Sequence, residues 1–230
     1  MQPPLHRRFP GRFLSRFGTE SRPALQQRHN SAMKQDATRA LFEYWDALRG
    51  TRPAPERADI EPGAIRSCLA NTFVLAADPE QGHLFRIAGT SVCALFGSEL
   101  TRKPFETLWH AGDQRAIRDL LQTVTGDMEG VVAGVTGCNE AAETVGIEMI
   151  LLPLAGSDGT AGRVLGGLTV AAPPYWLGTR PIQSLQLGEL RFTGAADTAT
   201  MAPGRDTPLR GRGFVFYPAA AGRISRFFQG

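Results

Sequence analysis

The amino-acid sequence predicts an α+β fold: a five-stranded antiparallel sheet with short helices on one face and a flanking helix on its N-terminal side. Three observations lead there. An amphipathic stripe of Leu41, Phe42, Trp45 and Leu48 opens the regular part of the chain. Two strand-like runs joined by a turn come next, and a group of short helical words then gives way to three further apolar runs separated by Gly- and Asp-rich turns. Meander connections are the simplest way to join strands so ordered.

Each element has its own warrant. From Asp36 the apolar residues recur at helical spacing, with Glu43, Asp46 and Arg49 between them, until Gly50 ends the helix. Pro53 and Pro55 force an extended link, and Ile60-Glu61-Pro62 opens a short helix carrying Ile65, Cys68 and Leu69. Residues 72–76 and 83–87 form a hairpin around Asp78-Pro79-Glu80-Gln81-Gly82, with His83 expected at an exposed strand start. Thr90 is placed to cap a short helix through Val92, Leu95 and Phe96. Residues 104–109 give another helical turn, and Asp113 introduces a longer helix with Ile117, Leu120, Leu121 and Val124 on one face. Strands are expected over 130–136, 144–153 and 163–172, and Gly166-Gly167 marks a place where a neighbour approaches closely. The segment from Ile182 through Leu185, Leu187, Leu190 and Phe192 adds an extended strand or covers an edge.

The folded part is expected over 35–192, between a basic leader without fixed structure, 1–34, and a similar Arg-, Gly- and Pro-rich tail, 193–230. Met33 opens a second plausible protein start, so the leader is either an upstream extension of the frame or a basic arm. Charge divides the same way. The net +3 of the chain is +5 over residues 1–32 (six arginines against Glu20), +3 over the tail (five arginines against Asp197 and Asp206) and −5 over the acidic middle. An acidic core repels a phosphate backbone, which argues against a nucleic-acid partner. No run reaches the ~18 apolar residues of a membrane span and no secretory signal opens the chain, so a cytoplasmic location is expected. Cys68, Cys93 and Cys138 show no metal or disulfide spacing, and no phosphate-loop, nucleophile-elbow or zinc-protease motif is present. The expectation is therefore a protein that is not an enzyme.

The run LFEYWDALRGTRPAPERADIEPGAI, then TFVL, FRIAGTSVCALFGSEL, PFETLWHAGD, LLPL and RVLGGL resemble a family of stand-alone PAS-like proteins found mainly in alphaproteobacteria and long described only as a domain of unknown function. The resemblance covers about residues 35–192. It implies a PAS-fold sensory or protein-interaction module without catalytic residues or an established common ligand, which signals in trans through a protein partner. The stripe Leu41, Phe42, Trp45 and Leu48 packs either across the outer face of its own sheet or against a second copy of the chain, and a homodimer formed by the flanking helix, with these residues as interface candidates, is what the resemblance implies.

A PAS core encloses its cavity between the sheet and the short helices. The candidates to line one are Val92, Cys93, Phe96, Phe105, Trp109, Ile117 and Leu121, facing Phe73, Leu75, Phe85, Ile87, Ile150 and Leu152, with Arg86, Thr90 and Glu148 as polar groups to orient a small apolar ligand. The plainer reading is that the apolar residues fill the core. No cofactor is required. Haem would need His110 as axial ligand, and a flavin adduct would need Cys93 as a thiolate with Asn71 or Gln122 as amide contacts. The leading expectation is a sensory or regulatory PAS-like protein that binds a ligand or a protein partner. Its alternatives are a ligand-free adaptor and an enzyme using Glu148 as a cavity carboxylate.

Overall fold

The computed structural model describes residues 33–156, 162–191, 209–211 and 214–216. Six strands form one antiparallel sheet: β1 (Thr72–Asp78), β2 (Gly82–Ala88), β3 (Val131–Asn139), β4 (Thr144–Leu154), β5 (Arg163–Val170) and β6 (Ile182–Arg191), in spatial order β2-β1-β5-β4-β3-β6. The five expected strands make the first five positions. The sixth is the segment from Ile182, which pairs antiparallel with β3 and so covers an edge as a strand. Asp113 fastens it to the helices by accepting the Leu187 N–H at 3.1 Å.

Alternation along the strands divides the apolar residues between two faces. Phe73, Leu75, Val145, Ile147, Met149, Leu151, Val164 and Leu168 point to the inner face. There they meet α2 (Thr90–Leu95), the 3-10 turn Phe105–Leu108 and α3 (Gln114–Gly126), whose buried stripe is Ile117, Leu120, Leu121 and Val124. Val74, Val132, Ile150, Leu152, Leu154 and Leu165 point to the outer face.

The outer face is covered by α1 (Asp36–Arg49), packed over β4 and β5. Leu41, Phe42 and Trp45 are buried in this layer and Leu48 packs at its margin. The Trp45 indole N–H donates to the Pro153 carbonyl at 2.8 Å, and Arg49 lies over the Trp45 ring, 5.0 Å from its centroid. Of the two surfaces expected to receive the stripe, a second copy or the chain's own sheet, the sheet takes Leu41, Phe42 and Trp45 in place of a dimer interface. These large residues bury themselves there because β4 and β5 present an aliphatic surface on that side that would otherwise face water.

Two polar clamps fix the start of α1. Glu148, buried on the outer face of β4, accepts the backbone N–H groups of Lys34 and Gln35 at 2.9 and 3.0 Å. A carboxylate is well suited to the unpaired donors and positive dipole end of a helix start. Met33, only 1% exposed, is buried in the same outer-face cluster. Residues 1–32 lie outside the described residues. Within the expected unstructured tail, β7 (Leu209–Gly211) and β8 (Phe214–Phe216) pair as a short antiparallel ladder; the rest of the tail lies outside the described residues. No described helix is long and apolar enough to cross a membrane.

Candidate functional site

The inner face is organised by four aromatic rings brought from three elements. β1 supplies Phe73, β2 supplies Phe85, and the turn after Pro104 supplies Phe105 and Trp109. Phe73 stacks on Phe105 at 5.5 Å between centroids, while Phe85 meets both edge-on at 5.5 and 5.6 Å and Trp109 meets Phe105 edge-on at 5.7 Å. These are the offset and edge-to-face geometries that ring quadrupoles favour. Gly166 makes room for them: a Cβ there would lie 2.2 Å from Phe73 Cζ, so no other residue fits beneath that ring. Val92, Leu95 and Phe96 pack on one side of the rings and the α3 stripe on the other. One polar atom is stranded among them. The Trp109 indole N–H is buried without an acceptor, in a side chain only 2% exposed.

At the β1–β2 end, a buried acid–imidazole pair joins the sheet to the aromatic turn. Glu106 Oε1 stands 2.8 Å from His83 Nδ1, and both carboxylate oxygens accept the His83 backbone N–H at 3.1 Å. Burial pushes the Glu106 carboxyl up, yet the N–H bonds from the His83 ring and backbone outweigh it and hold the group below its ordinary range. Gly82, at φ +84°, gives the tight turn this requires, since a Cβ would lie 2.8 Å from Glu106 Oε1. The pair floors an open groove of about 580 Å3 whose walls include Asp78, Glu80, Gln114, Arg118 and Gln122.

With this architecture, the family model described as "PAS domain" matches residues 33–169, more than half of the chain. The chain belongs to the PAS domain family. No curated protein matches it. Similar solved structures include the dark-state blue-light photoreceptor Aureochrome1 LOV, at 14% identity and TM-score 0.38, covering 49% of this chain and 83% of that one. A LOV protein of Rhodobacter sphaeroides is 9% identical at TM-score 0.37, covering 46% of this chain and 61% of that one. The PAS domain of a Colwellia psychrerythraea protein is 13% identical at TM-score 0.35, covering 46% and 92%.

In this PAS domain Phe73, Leu75, Phe85, Val92, Phe96, Phe105, Trp109, Ile117 and Leu121 come together on the inner face. Five other candidates do not. Ile150 and Leu152 lie on the outer face beneath α1, and the inner positions of β4 are Met149 and Leu151. Ile87 is 47% exposed on the outer side, because a bulge at β1–β2 pairs Val74 with Ile87 but Leu75 with Phe85. Thr90 is exposed as the first helical residue of α2, with Gly89 in the capping position. Glu148, the proposed cavity carboxylate, is on the opposite face of the sheet, engaged with α1.

The residues suggested for cofactors are not assembled for that purpose. Cys93 is half-buried at the rim, its Sγ 3.7 Å from Glu99 Oε1 and 4.0 Å from the Ala88 carbonyl. Asn71 donates to the Leu168 carbonyl at 3.3 Å, and Gln122 is exposed in the groove floored by His83, so the two amides do not converge on Cys93. These residues do not fit a flavin adduct site. His110 is exposed and its Nδ1 accepts the Gly112 N–H at 3.2 Å, the geometry of a surface turn.

The sequence reading missed the His83–Glu106 pair. His83 is buried, 7% exposed, because a carboxylate 23 residues along the chain reaches it. The available signal was Glu106 itself, a lone acid inside the apolar word PFETLW.

Proposed function

We propose that this PAS domain is a regulatory module that acts through a separate protein, with its interior serving as a packed core. The observation that supports this is the four-ring cluster seated on Gly166, which occupies the region a ligand would otherwise take. A change of state would then be carried by surfaces rather than by a resident small molecule. The proposal includes no catalytic step, since Glu148 is engaged on the outer face. It places the protein in the cytoplasm, a reducing compartment that suits the three free cysteines. A homodimer built on α1 would require that helix to leave the sheet, so the partner in this reading is a different chain.

A second reading rests on the stranded Trp109 N–H. A small amphipathic ligand carrying one acceptor oxygen would satisfy it, with the rings shifting to admit the apolar remainder. Native mass spectrometry of the protein isolated from its own host separates the two. The leading reading expects the bare chain mass together with a protein complex. A non-covalent adduct of a few hundred daltons would overturn it in favour of ligand sensing.

A further inference from the structure

We propose that the outer face carries a second site, formed by Arg57, Arg86 and Arg163, that binds a phosphomonoester with a small apolar body. The three guanidinium groups come from three elements: the 3-10 turn Arg57–Asp59, β2 and the start of β5. They surround one open depression of about 310 Å3, whose floor is the cross-strand pair Val74 and Ile87. Its volume is at the lower end of those that hold small molecules. The placement follows from the fold. α1 covers β4 and β5 and leaves the outer side of the edge strand β2 open, and the bulge that turns Ile87 outward inserts Arg86 as the unpaired extra residue beside it.

The electrostatics are one-sided. Among the described residues none of the three arginines has an anionic partner. The nearby acids are engaged elsewhere: Glu56 with the Asp59 backbone, and Asp59 with the Glu56 N–H and with Arg52 at 2.9 Å. No carboxylate lines the depression. Three cations lining one depression without counter-charge favour an anion that bears more than one charge, and guanidinium forks match phosphate oxygens in pairs. The exposed Ile87 side chain, beside the buried Val74, provides an apolar floor for the ester's carbon portion. Residues 1–32 and the tail, at +5 and +3, carry the wrong sign to fill the site.

The test is calorimetric titration of the full chain with phenyl phosphate. The expected result is saturable one-to-one binding that weakens about tenfold for each of Arg57→Gln, Arg86→Gln and Arg163→Gln. The triple variant should lose it, while Arg115→Gln, the same charge change on exposed α3, should leave it intact. An unchanged urea midpoint confirms that the surface variants remain folded. Vesicles containing phosphatidic acid identify the source of the ester. Sedimentation that the triple substitution abolishes assigns a lipid headgroup, and its absence beside tight phenyl phosphate binding assigns a soluble metabolite; both support the proposal. Equal affinity of wild type and triple variant for phenyl phosphate overturns it. So does an acidic peptide that binds the same arginines more tightly than phenyl phosphate does, which would make the depression a protein contact.

Discussion

The two faces of the sheet are both buried, but they are built differently. The inner face is aromatic, closed by rings from three elements and fitted around Gly166, with the partnerless Trp109 N–H inside it. The outer face is largely aliphatic, lies under α1 and the buried Ala54, Ile60, Ile65 and Cys68 of the segment after it, and is held by a few polar bonds from Glu148 and Trp45. It is also incomplete, ending in the arginine-lined depression beside β2. The difference teaches where change is affordable. Disturbing the inner face breaks many interlocking contacts at once, whereas the outer face can loosen through one helix and its clamps.

The sharpest way to break that contrast is Phe105→Ala. Phe105 touches Phe73, Phe85 and Trp109, so its loss should destabilise the domain by about 3–5 kcal/mol in urea unfolding. Glu148→Gln should cost less, about 1.5–3 kcal/mol, by weakening the charged bonds to the Lys34 and Gln35 N–H groups. Its signature is faster hydrogen exchange confined to α1, and protection lost equally in α3 would contradict the separation of the faces. Trp45→Phe leaves the Pro153 carbonyl without its donor and should cost about 1 kcal/mol, read from the same unfolding curves.

The smallest effect is confined to acid. Because the Glu106 carboxyl is held below its ordinary value of 4.5, the unfolded chain binds more protons there. The stabilisation is fully present above that value and is lost as the pH falls through the lower folded-state pKa. Glu106→Gln should remove this part of the acid slope, and an unaltered slope would show that the His83–Glu106 pair does not contribute to it.

Much of this division could be read from residues alone. The alternation in β1 put Phe73 and Leu75 on one face, and Gly166-Gly167 was correctly a place of close approach. β4 misled because Met149, Ile150, Leu151 and Leu152 are all apolar. When both faces of a strand are buried, hydrophobicity carries no parity, and the inner and outer pairs were exchanged. Ile87 was misplaced by a bulge, a one-residue shift that alters no composition. The α1 stripe was legible as an apolar surface, but its partner was not, since the same spacing serves the chain's own sheet or a second copy. His83 became a buried residue through a carboxylate distant in sequence, which local reading does not reach.

An inner face closed by its own side chains is what keeps a ligand out of this domain in the proposed function. Hydrogen exchange of the Trp109 indole N–H, followed by nuclear magnetic resonance on the full chain, tests it directly. A closed interior predicts one sharp resonance that exchanges as slowly as the β4 amides and does not shift when small amphipathic alcohols are added. Rapid exchange, or a saturable shift with such an alcohol, would contradict the packed interior and favour a domain that opens to a ligand.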